Sequence, residues 1–338
     1  MSPLNPPARM AGRCALATIA IAALTACGTL PPGQGLNQVS ALTAERIGQP
    51  LPATANETDQ HALAQVTKDI LSKPISADDA VRLAVLNSPT LRSSYASVGI
   101  AQADLMQAGR LSNPSLTFQR TRAGAQVEIE RSLGFNLVNL LTAPLARRIE
   151  TGRFEQTRLL VASQVIAHAA QTRSAYYSAL AARQEAQYAR QVSDSAGAGA
   201  ELAMQMNKVG NMSGRELARE QAFAAEARAA LLKAELQANT AREALTVLMG
   251  LSGADAGYLL PERLPELPDR VDDLGEIEQL AVNQRLDVRA ATVEAEQTAT
   301  SLGLVKRTRL VNVLDLAYVN NSATGQPSAP GYAITLEL

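Results

Sequence analysis

The feature that most constrains the fold is a long stretch with almost no helix-breaking residues. Residues 145–208 contain no proline and only three glycines, and residues 215–249 contain neither. A single helix over residues 145–208 would be roughly 95 Å long, which few globular domains could contain. Between the two stretches lies the glycine-containing segment VGNMSG, residues 209–214. The sequence therefore predicts an antiparallel helical hairpin over residues 145–249 with its tip near Gly210.

The second stretch has the heptad pattern of a coiled coil. One series recurs every seven residues from Leu217 to Leu245, and a second series, three residues later, runs from Glu220 to Leu248. Repeats of 3.5 residues predict a left-handed coiled coil. Its leucines alternate with alanines, which lets helices pack closely. The low aromatic content, 3% with no tryptophan, fits such helices better than a compact core.

Residues 113–137 lose the helical period and alternate between apolar and polar side chains. Leu116 and Phe118 alternate with polar neighbours, and a second alternating run follows a turn at Gly124. This period of two predicts a β-hairpin with one apolar face and strands of about 8–11 residues. We expect that face to carry Val127, Ile129, Leu133, Phe135 and Leu137, with Arg131 as an exception near a rim.

The element order then restarts. Leu280-Ala281-Val282 repeats Leu83-Ala84-Val85 at an offset of 197 residues. In the first copy a helix begins after a Ser76 cap, is interrupted near Pro89 and ends near residue 108. In the second copy a helix to about residue 307 precedes a strand from residue 311, a loop over residues 320–330 and a last strand. The predicted fold is mostly α with a small β part: a long antiparallel coiled-coil hairpin plus two β-hairpins.

The N-terminus has the features of an export signal. Two arginines precede an apolar run over residues 14–24, which is too short to span a bilayer. The following Leu24-Thr25-Ala26-Cys27 resembles the bacterial lipobox, which implies that Cys27 is acylated. Gly28, in place of the aspartate typical of lipoproteins kept in the inner membrane, implies an outer-membrane address. The predicted organisation is a signal peptide (1–26), a lipid-anchored tether (27–73), a first repeat (74–253), a linker (254–273) and an incomplete second repeat (274–338).

No motif indicates an enzyme. The sequence has no phosphate-binding loop, no dinucleotide-binding glycine pattern and no supported Ser-His-Asp arrangement. His61 and His168 are the only histidines, and each has no sequence neighbour suited to sharing a metal. A net charge of −1 argues against a nucleic-acid binder. We therefore expect no catalytic, cofactor-binding or metal-binding residues, and no cofactor beyond a covalent lipid on Cys27.

The chain resembles the TolC-type outer-membrane efflux factor family, in its lipoprotein branch. Besides the lipobox and the element order, the resembling segments are ISADDAVRLAVLNSPTLRSSYASVGIAQADL (75–105), KVGNMSGRELAREQ (208–221) and LAVNQRLDVRAATVEAE (280–296). Leu286 departs from the family, which often has proline between an arginine and an aspartate. The closing second helical hairpin is missing, so the chain looks truncated at its C-terminus, and we expect no conducting trimer from it as it stands.

The resemblance implies a homotrimer with a 12-stranded β-barrel and an α-helical tunnel. It also implies a passive conduit in a tripartite efflux system, driven by an inner-membrane pump and joined to it by a periplasmic adaptor protein. The adaptor would dock at the hairpin tip, on Val209, Gly210, Asn211, Met212 and Ser213. Apart from the resemblance, the sequence requires only that strands from several chains close one sheet, because the unpaired backbone groups of open sheet edges are costly in lipid. Two chains would supply 8 strands and three would supply 12, and both barrel sizes are feasible.

Several other function classes stay open at this point. A periplasmic adaptor lipoprotein also has a helical hairpin, but flanked by a glycine-rich lipoyl-like β-domain instead of a repeated helix and β-hairpin. A structural lipoprotein with coiled coils and a non-functional truncated efflux factor are also compatible with the sequence. The exported substrate is not indicated, since the chain has few methionines and no histidine-rich or cysteine-rich tract.

Overall fold

The computed structural model describes residues 33–51, 57–267, 275, 277–308 and 313–337. Among the described helices, none combines the length and the apolar character needed to cross a membrane. The helices are α1 (Gln34–Ile47), α2 (Glu57–Leu71), α3 (Ala77–Asn87), α4 (Pro89–Ala108), α5 (Leu137–Lys208), α6 (Gly214–Met249), α7 (Ile277–Gln284) and α8 (Leu286–Thr308). The strands are β1 (Ser115–Ala123), β2 (Gln126–Asn136), β3 (Val313–Ala323) and β4 (Ala329–Glu337).

The contacts divide the chain into two units. The first combines residues 100–154 with residues from 293 onward and contains the four strands. The second combines residues 35–99 with 155–292 and contains most of the helices. The predicted fold class is confirmed: the chain is mostly helical, with a small antiparallel sheet.

In the first unit, the four strands form one antiparallel sheet in the order β1-β2-β3-β4. Each predicted hairpin turn contains a glycine with positive φ, Gly124 (61°) and Gly325 (80°). The pairing of β2 with β3 joins the two repeats, with Leu133 opposite Tyr318. Such a pairing cannot be read from either repeat alone, because its partners lie far apart in sequence.

Two predicted boundaries in this unit are wrong. The long helix begins at Leu137 rather than near residue 145, so Leu137 is helical and does not extend the strand face. Pro144 lies inside this helix, where it removes one backbone donor but does not end the helix. Strand β3 runs to Ala323 and therefore includes part of the predicted loop over residues 320–330, because its last residues pair with β2.

Helix α3 begins with the predicted cap. The Ser76 hydroxyl accepts from the Asp79 N–H (3.1 Å), and the Asp79 carboxylate accepts from the Ser76 N–H (3.0 Å).

The two copies of the repeat break their helices at equivalent positions. The first copy breaks at Ser88, between α3 and α4, and the second at Arg285, between α7 and α8. These positions differ by the predicted offset of 197 residues.

The heptad pattern in α6 is confirmed by burial. Of its ten predicted seam positions, Glu220 is exposed, and the other nine are buried or half-buried. Ala227, Ala234 and Leu245 are the most buried seam residues, at 7%, 4% and 0% exposure. The opposite face of the helix carries exposed residues such as Leu232 and Leu236. Contacts between α5 and α6 include His168, whose Nε2 lies 2.9 Å from the Leu248 carbonyl, and the ion pair of Arg190 with Glu235.

A core at the base of the hairpin fixes the connection between the repeats. The Tyr176 hydroxyl donates to the Ile75 carbonyl (3.0 Å), and the Ile75 N–H donates to the Leu259 carbonyl (2.9 Å). Tyr258 is buried, and Arg242 lies 4.2 Å from its ring centroid. The predicted linker thus packs against the hairpin at residues 258–260. The cluster comprises Ile70, Ile75, Ala80, Leu83, Tyr176, Ala179, Leu180, Leu245, Met249, Leu251, Tyr258 and Leu260.

The prediction of an N-terminal tether is wrong for the part that the structure describes. α1 and α2 occupy most of residues 34–71. Val39 and Thr43 are fully buried, and the Arg46 guanidinium donates to the carbonyl of Gln284 at the end of α7 (2.8 Å). Gly48 and Pro50 lie between these two helices, and Gly35 lies within α1. The predicted signal peptide and Cys27 lie outside the described residues.

Candidate functional site

The tip of the helical hairpin is closed by a Schellman motif. Gly210 has a φ of +79°, which places it in the left-handed region that glycine tolerates best. Its N–H donates to the Asn207 carbonyl (3.1 Å), and the Asn211 N–H donates to the Met206 carbonyl (2.9 Å). These two bonds satisfy carbonyls that the end of α5 would otherwise leave free. The predicted turn at Gly210 is therefore confirmed as a structural element.

The other side of the tip is fixed by the start of α6. The Ser213 hydroxyl accepts from the Glu216 N–H (3.3 Å), and the Ser213 N–H donates to the Glu216 carboxylate (2.9 Å). The hydrogen bonds that the Ser213 backbone N–H and hydroxyl donate to the Glu216 carboxylate lower the pKa of Glu216. In addition, the Asn207 side chain donates to the Met212 carbonyl (2.8 Å) and ties the two helix ends together. Asn207 is not among the tip residues predicted from the sequence.

The tip presents a small surface whose backbone is held in place by hydrogen bonds. Val209 is 71% exposed, Asn211 is exposed and Met212 is half-buried. The five predicted tip residues are contiguous, and the capping bonds hold their backbone in one conformation. An exposed apolar side chain on a backbone fixed in this way suits docking of another protein, since little conformational entropy is lost on binding.

The sheet in the first unit has one strongly apolar face. Residues paired across strands point to the same side, so the register defines the face. One row crosses all four strands: Leu116 pairs with Leu133, Leu133 with Tyr318, and Tyr318 with Tyr332. The outermost members are the most exposed, Leu116 at 80% and Tyr332 at 81%. The same face carries Phe118, Val127, Ile129, Phe135, Leu314, Leu316, Ile334 and Leu336.

The opposite face is polar and acidic. Ser132 lies between Thr117 and Val319, and Glu130 lies between Gln119 and Asn321. Among the described strand residues, this face carries four acidic side chains and no basic one: Glu128, Glu130, Asp315 and Glu337. The sheet is therefore amphipathic, and within the described part of the chain its residues are exposed or half-buried on both faces, apart from Gly134. Strands of 9–11 residues with this alternation match the length and pattern of strands that cross a bilayer.

Arg131 lies on the apolar face, as the exception that the sequence predicted. It lies mid-strand on β2, opposite Phe118 and Asn320, where the apolar rows give way to polar ones. Two further arginines on this face, Arg120 and Arg122, were not singled out. The signal was present in the sequence, because both are in phase with Leu116 and Phe118.

No cluster that could hold a metal ion is found among the histidine, cysteine, aspartate and glutamate residues that the structure describes. His168 lies half-buried in α5, and its Nε2 is 2.9 Å from the Leu248 carbonyl. His61 is exposed on α2. Asp78 lies in the first turn of α3 and pairs with Arg173 (2.6 Å), which is a structural contact.

Comparison with solved structures identifies outer-membrane channels of similar fold. A membrane protein from Pseudomonas aeruginosa aligns with a TM-score of 0.65 and 19% identity, over 78% of this chain and 66% of that one. The outer-membrane protein VceC from Vibrio cholerae aligns with a TM-score of 0.59 and 17% identity, over 78% and 68%. The outer-membrane channel OprN aligns with a TM-score of 0.58 and 15% identity, over 77% and 63%.

These alignments confirm, at the level of the fold, the resemblance to TolC-type efflux factors. The matched region spans about two thirds of the length of each of these structures. No family model and no curated protein matches the sequence.

Proposed function

We propose that this chain is the outer-membrane channel component of a tripartite efflux system, a passive conduit that carries small molecules from a periplasmic pump to the outside. The observation that carries the proposal is the amphipathic sheet. Its apolar face suits lipid, and its acidic face suits a water-filled lumen. The proposal assigns the chain no catalytic role and no cofactor. The shared fold with outer-membrane channels supports this function over a periplasmic adaptor.

The open edges of the sheet support assembly from several copies. β1 and β4 lie at the two ends of the strand order, so each has one edge without a strand partner in the described chain. Each unpaired backbone group would cost several kcal/mol in lipid, and closure by strands of other copies removes that cost. We propose a homotrimer with 12 strands, the number that the family resemblance favours among closed barrels.

Cysteine accessibility tests the membrane proposal. Leu316 and Ala317 are neighbours on β3, both half-buried, and they lie on opposite faces. In isolated outer membranes we expect a water-soluble maleimide to label the Ala317→Cys variant but not the Leu316→Cys variant. Both variants should react with the maleimide after unfolding. Mass spectrometry of the labelled peptide distinguishes label on the introduced cysteine from label on Cys27. Equal labelling of the two variants in intact membranes would contradict the proposal.

We also propose that the tip docks a periplasmic adaptor protein through Val209, Gly210, Asn211, Met212 and Ser213. The exposure of Val209 and the fixed backbone around Gly210 support this role. Val247 provides a matched control, because it is 72% exposed and lies in the last turn of α6. The Val209→Arg variant should lose binding to a purified adaptor, and the Val247→Arg variant should keep it. Equal binding by both variants would leave the tip a turn without a docking role.

The lipid anchor is a separate proposal, because Cys27 lies outside the described residues. It is supported by the lipobox-like Leu24-Thr25-Ala26-Cys27 and by the export signal before it. Cells fed labelled palmitate should incorporate it into the chain but not into a Cys27→Ser variant. Label in that variant would refute acylation at Cys27 and would leave the channel proposal untouched.

A further inference from the structure

The apolar face of the sheet carries three arginines grouped near the turn of the first hairpin. Arg120 and Arg122 lie two residues apart on β1, and Arg131 lies on β2 opposite Phe118. Same-face neighbours along a strand are about 7 Å apart, and diagonal neighbours on adjacent strands are about 7–8 Å apart. The Cα atom of Arg120 therefore lies within about 8 Å of the Cα atoms of Arg122 and Arg131. We refer to these three residues as the basic cluster.

The positive charge of this cluster is not neutralised within the described part of the chain. Arg122 donates through Nε to the Gly124 carbonyl (3.1 Å), and Arg131 donates to the Asn320 side-chain oxygen (3.4 Å). Both acceptors are neutral. The ion pairs found among the described residues involve none of the three arginines. The acidic side chains of the described strands all lie on the opposite face.

The order of side chains along this face resembles a strand that passes from hydrocarbon to head groups. Toward the helix-proximal ends of the strands, Leu314 pairs with Leu336, and in the next row Leu316 pairs with Phe135 and Ile334, so both rows are apolar. The next row toward the turns contains Tyr318 and Tyr332, whose rings meet edge to face at 5.8 Å. The basic cluster follows, in rows where Arg131 pairs with Phe118, Arg120 with Ile129 and Arg122 with Val127. Tyrosines at the membrane boundary and long cationic side chains beyond it are the usual arrangement at such a boundary.

We propose that Arg120, Arg122 and Arg131 bind the phosphate groups of anionic lipid head groups at the membrane surface nearest the hairpin turns. The inference rests on the proposed function, because it takes the apolar face to contact lipid. Three guanidinium groups match phosphate in charge and in hydrogen-bond geometry, since each can donate two parallel bonds. Lipid is the favoured source of the phosphate because the cluster continues the apolar and aromatic rows of the same face.

Partition into lipid vesicles tests the inference with the full chain. The triple variant R120Q/R122Q/R131Q is compared with a control, R215Q/R219Q/R228Q, which removes three exposed arginines from the start of α6. Vesicles of phosphatidylcholine alone are compared with vesicles that also contain phosphatidic acid. Each basic residue at an anionic surface contributes about fivefold in affinity, so the triple variant should bind the anionic vesicles roughly 100-fold more weakly. Binding to phosphatidylcholine should be unchanged, and the control variant should keep its preference for anionic vesicles.

The possible outcomes separate the two proposals. If the glutamine triple variant kept the full preference for anionic vesicles, the assignment of the cluster would be overturned. The same holds if the control variant lost as much of that preference. Release from anionic vesicles by inorganic phosphate, but not by chloride of the same ionic strength, would make free phosphate the ligand and would also overturn it. Absence of the parent chain from both kinds of vesicle would contradict the proposed function itself. A lysine triple variant keeps the charge but not the parallel hydrogen bonds, so it should bind anionic vesicles more tightly than the glutamine variant and more weakly than the parent chain, which separates loss of charge from a folding defect.

Discussion

Gly250 offers the sharpest test of the packing at the base of the hairpin. Its φ is +67°, and an added Cβ would lie 2.5 Å from the Asn87 carbonyl oxygen and 2.9 Å from the Ser88 nitrogen. Both contacts are with backbone at the end of α3, which cannot rotate away. The left-handed conformation costs an alanine roughly 1–2 kcal/mol, and overpacking adds about 1–3 kcal/mol. We expect Gly250→Ala to lower the free energy of unfolding by about 2–5 kcal/mol.

Two other glycines separate these contributions. Gly210 has a φ of +79° but nothing within 4 Å of an added Cβ, so Gly210→Ala should cost only the conformational share, about 1–2 kcal/mol. Gly197 lies within α5 with open space around it, so Gly197→Ala should stabilise by about 0.5–1 kcal/mol. Urea unfolding followed by circular dichroism measures all three variants. If Gly250→Ala and Gly210→Ala cost the same, the contact with α3 does not constrain the hairpin.

Three further predictions concern the helices. Tyr176→Phe removes a buried hydrogen bond and should cost about 1–2 kcal/mol in urea unfolding, whereas Tyr177→Phe, at a site 38% exposed, should change stability by less than about 0.5 kcal/mol. The Arg285 guanidinium holds the pKa of Asp287 at about 2, below the ordinary 3.8, so their pairing is fully present above pH 3.8 and is lost as pH falls through 2. Carboxyl NMR should find this low value and its return toward 3.8 in Arg285→Ala; an unchanged value would exclude the pairing. Val39→Ala should cost about 1–3 kcal/mol because Val39 is fully buried, and a neutral effect would restore the tether interpretation of this segment.

Local patterns in the sequence predicted the elements whose signal repeats along the chain. The seam of α6 follows from a seven-residue period, and the strands follow from a two-residue period on both sides of Gly124 and, most clearly, after Gly325. Helix α1 was missed because the prolines and glycines around it were weighed more than its own period. Gly35, Val39, Thr43 and Ile47 are buried at every fourth position, which is a helical signal.

Non-local properties could not be predicted in the same way. The pairing of Leu133 with Tyr318 depends on the register between β2 and β3, which the sequence of either hairpin does not specify. The alternation within each strand already separates the arginines from the carboxylates, but only the pairing of β2 with β3 joins the polar sides of the two hairpins into one acidic face. The docking of Arg46 on the carbonyl of Gln284 likewise joins segments 238 residues apart. Local patterns therefore indicated the tip but not the chemistry of the whole sheet.

The sizes of the side chains and their polarity both indicate the same face of the sheet as the one that lines the lumen of a barrel. On the polar face, a row of small residues crosses all four strands, with Ser115 opposite Gly134, Gly134 opposite Ala317, and Ala317 opposite Ala333. Gly134 is buried, and a Cβ there would lie 2.5 Å from the Ser115 hydroxyl, so any side chain at this position would require that hydroxyl to rotate away. Closing a sheet into a barrel crowds the concave face and spreads the convex one. The small, polar face therefore suits the lumen, and the face with the leucines, tyrosines and arginines suits the lipid side. A one-residue slip in register would exchange the two faces, so the pairing across Gly134 fixes the chemistry as well as the geometry of the wall.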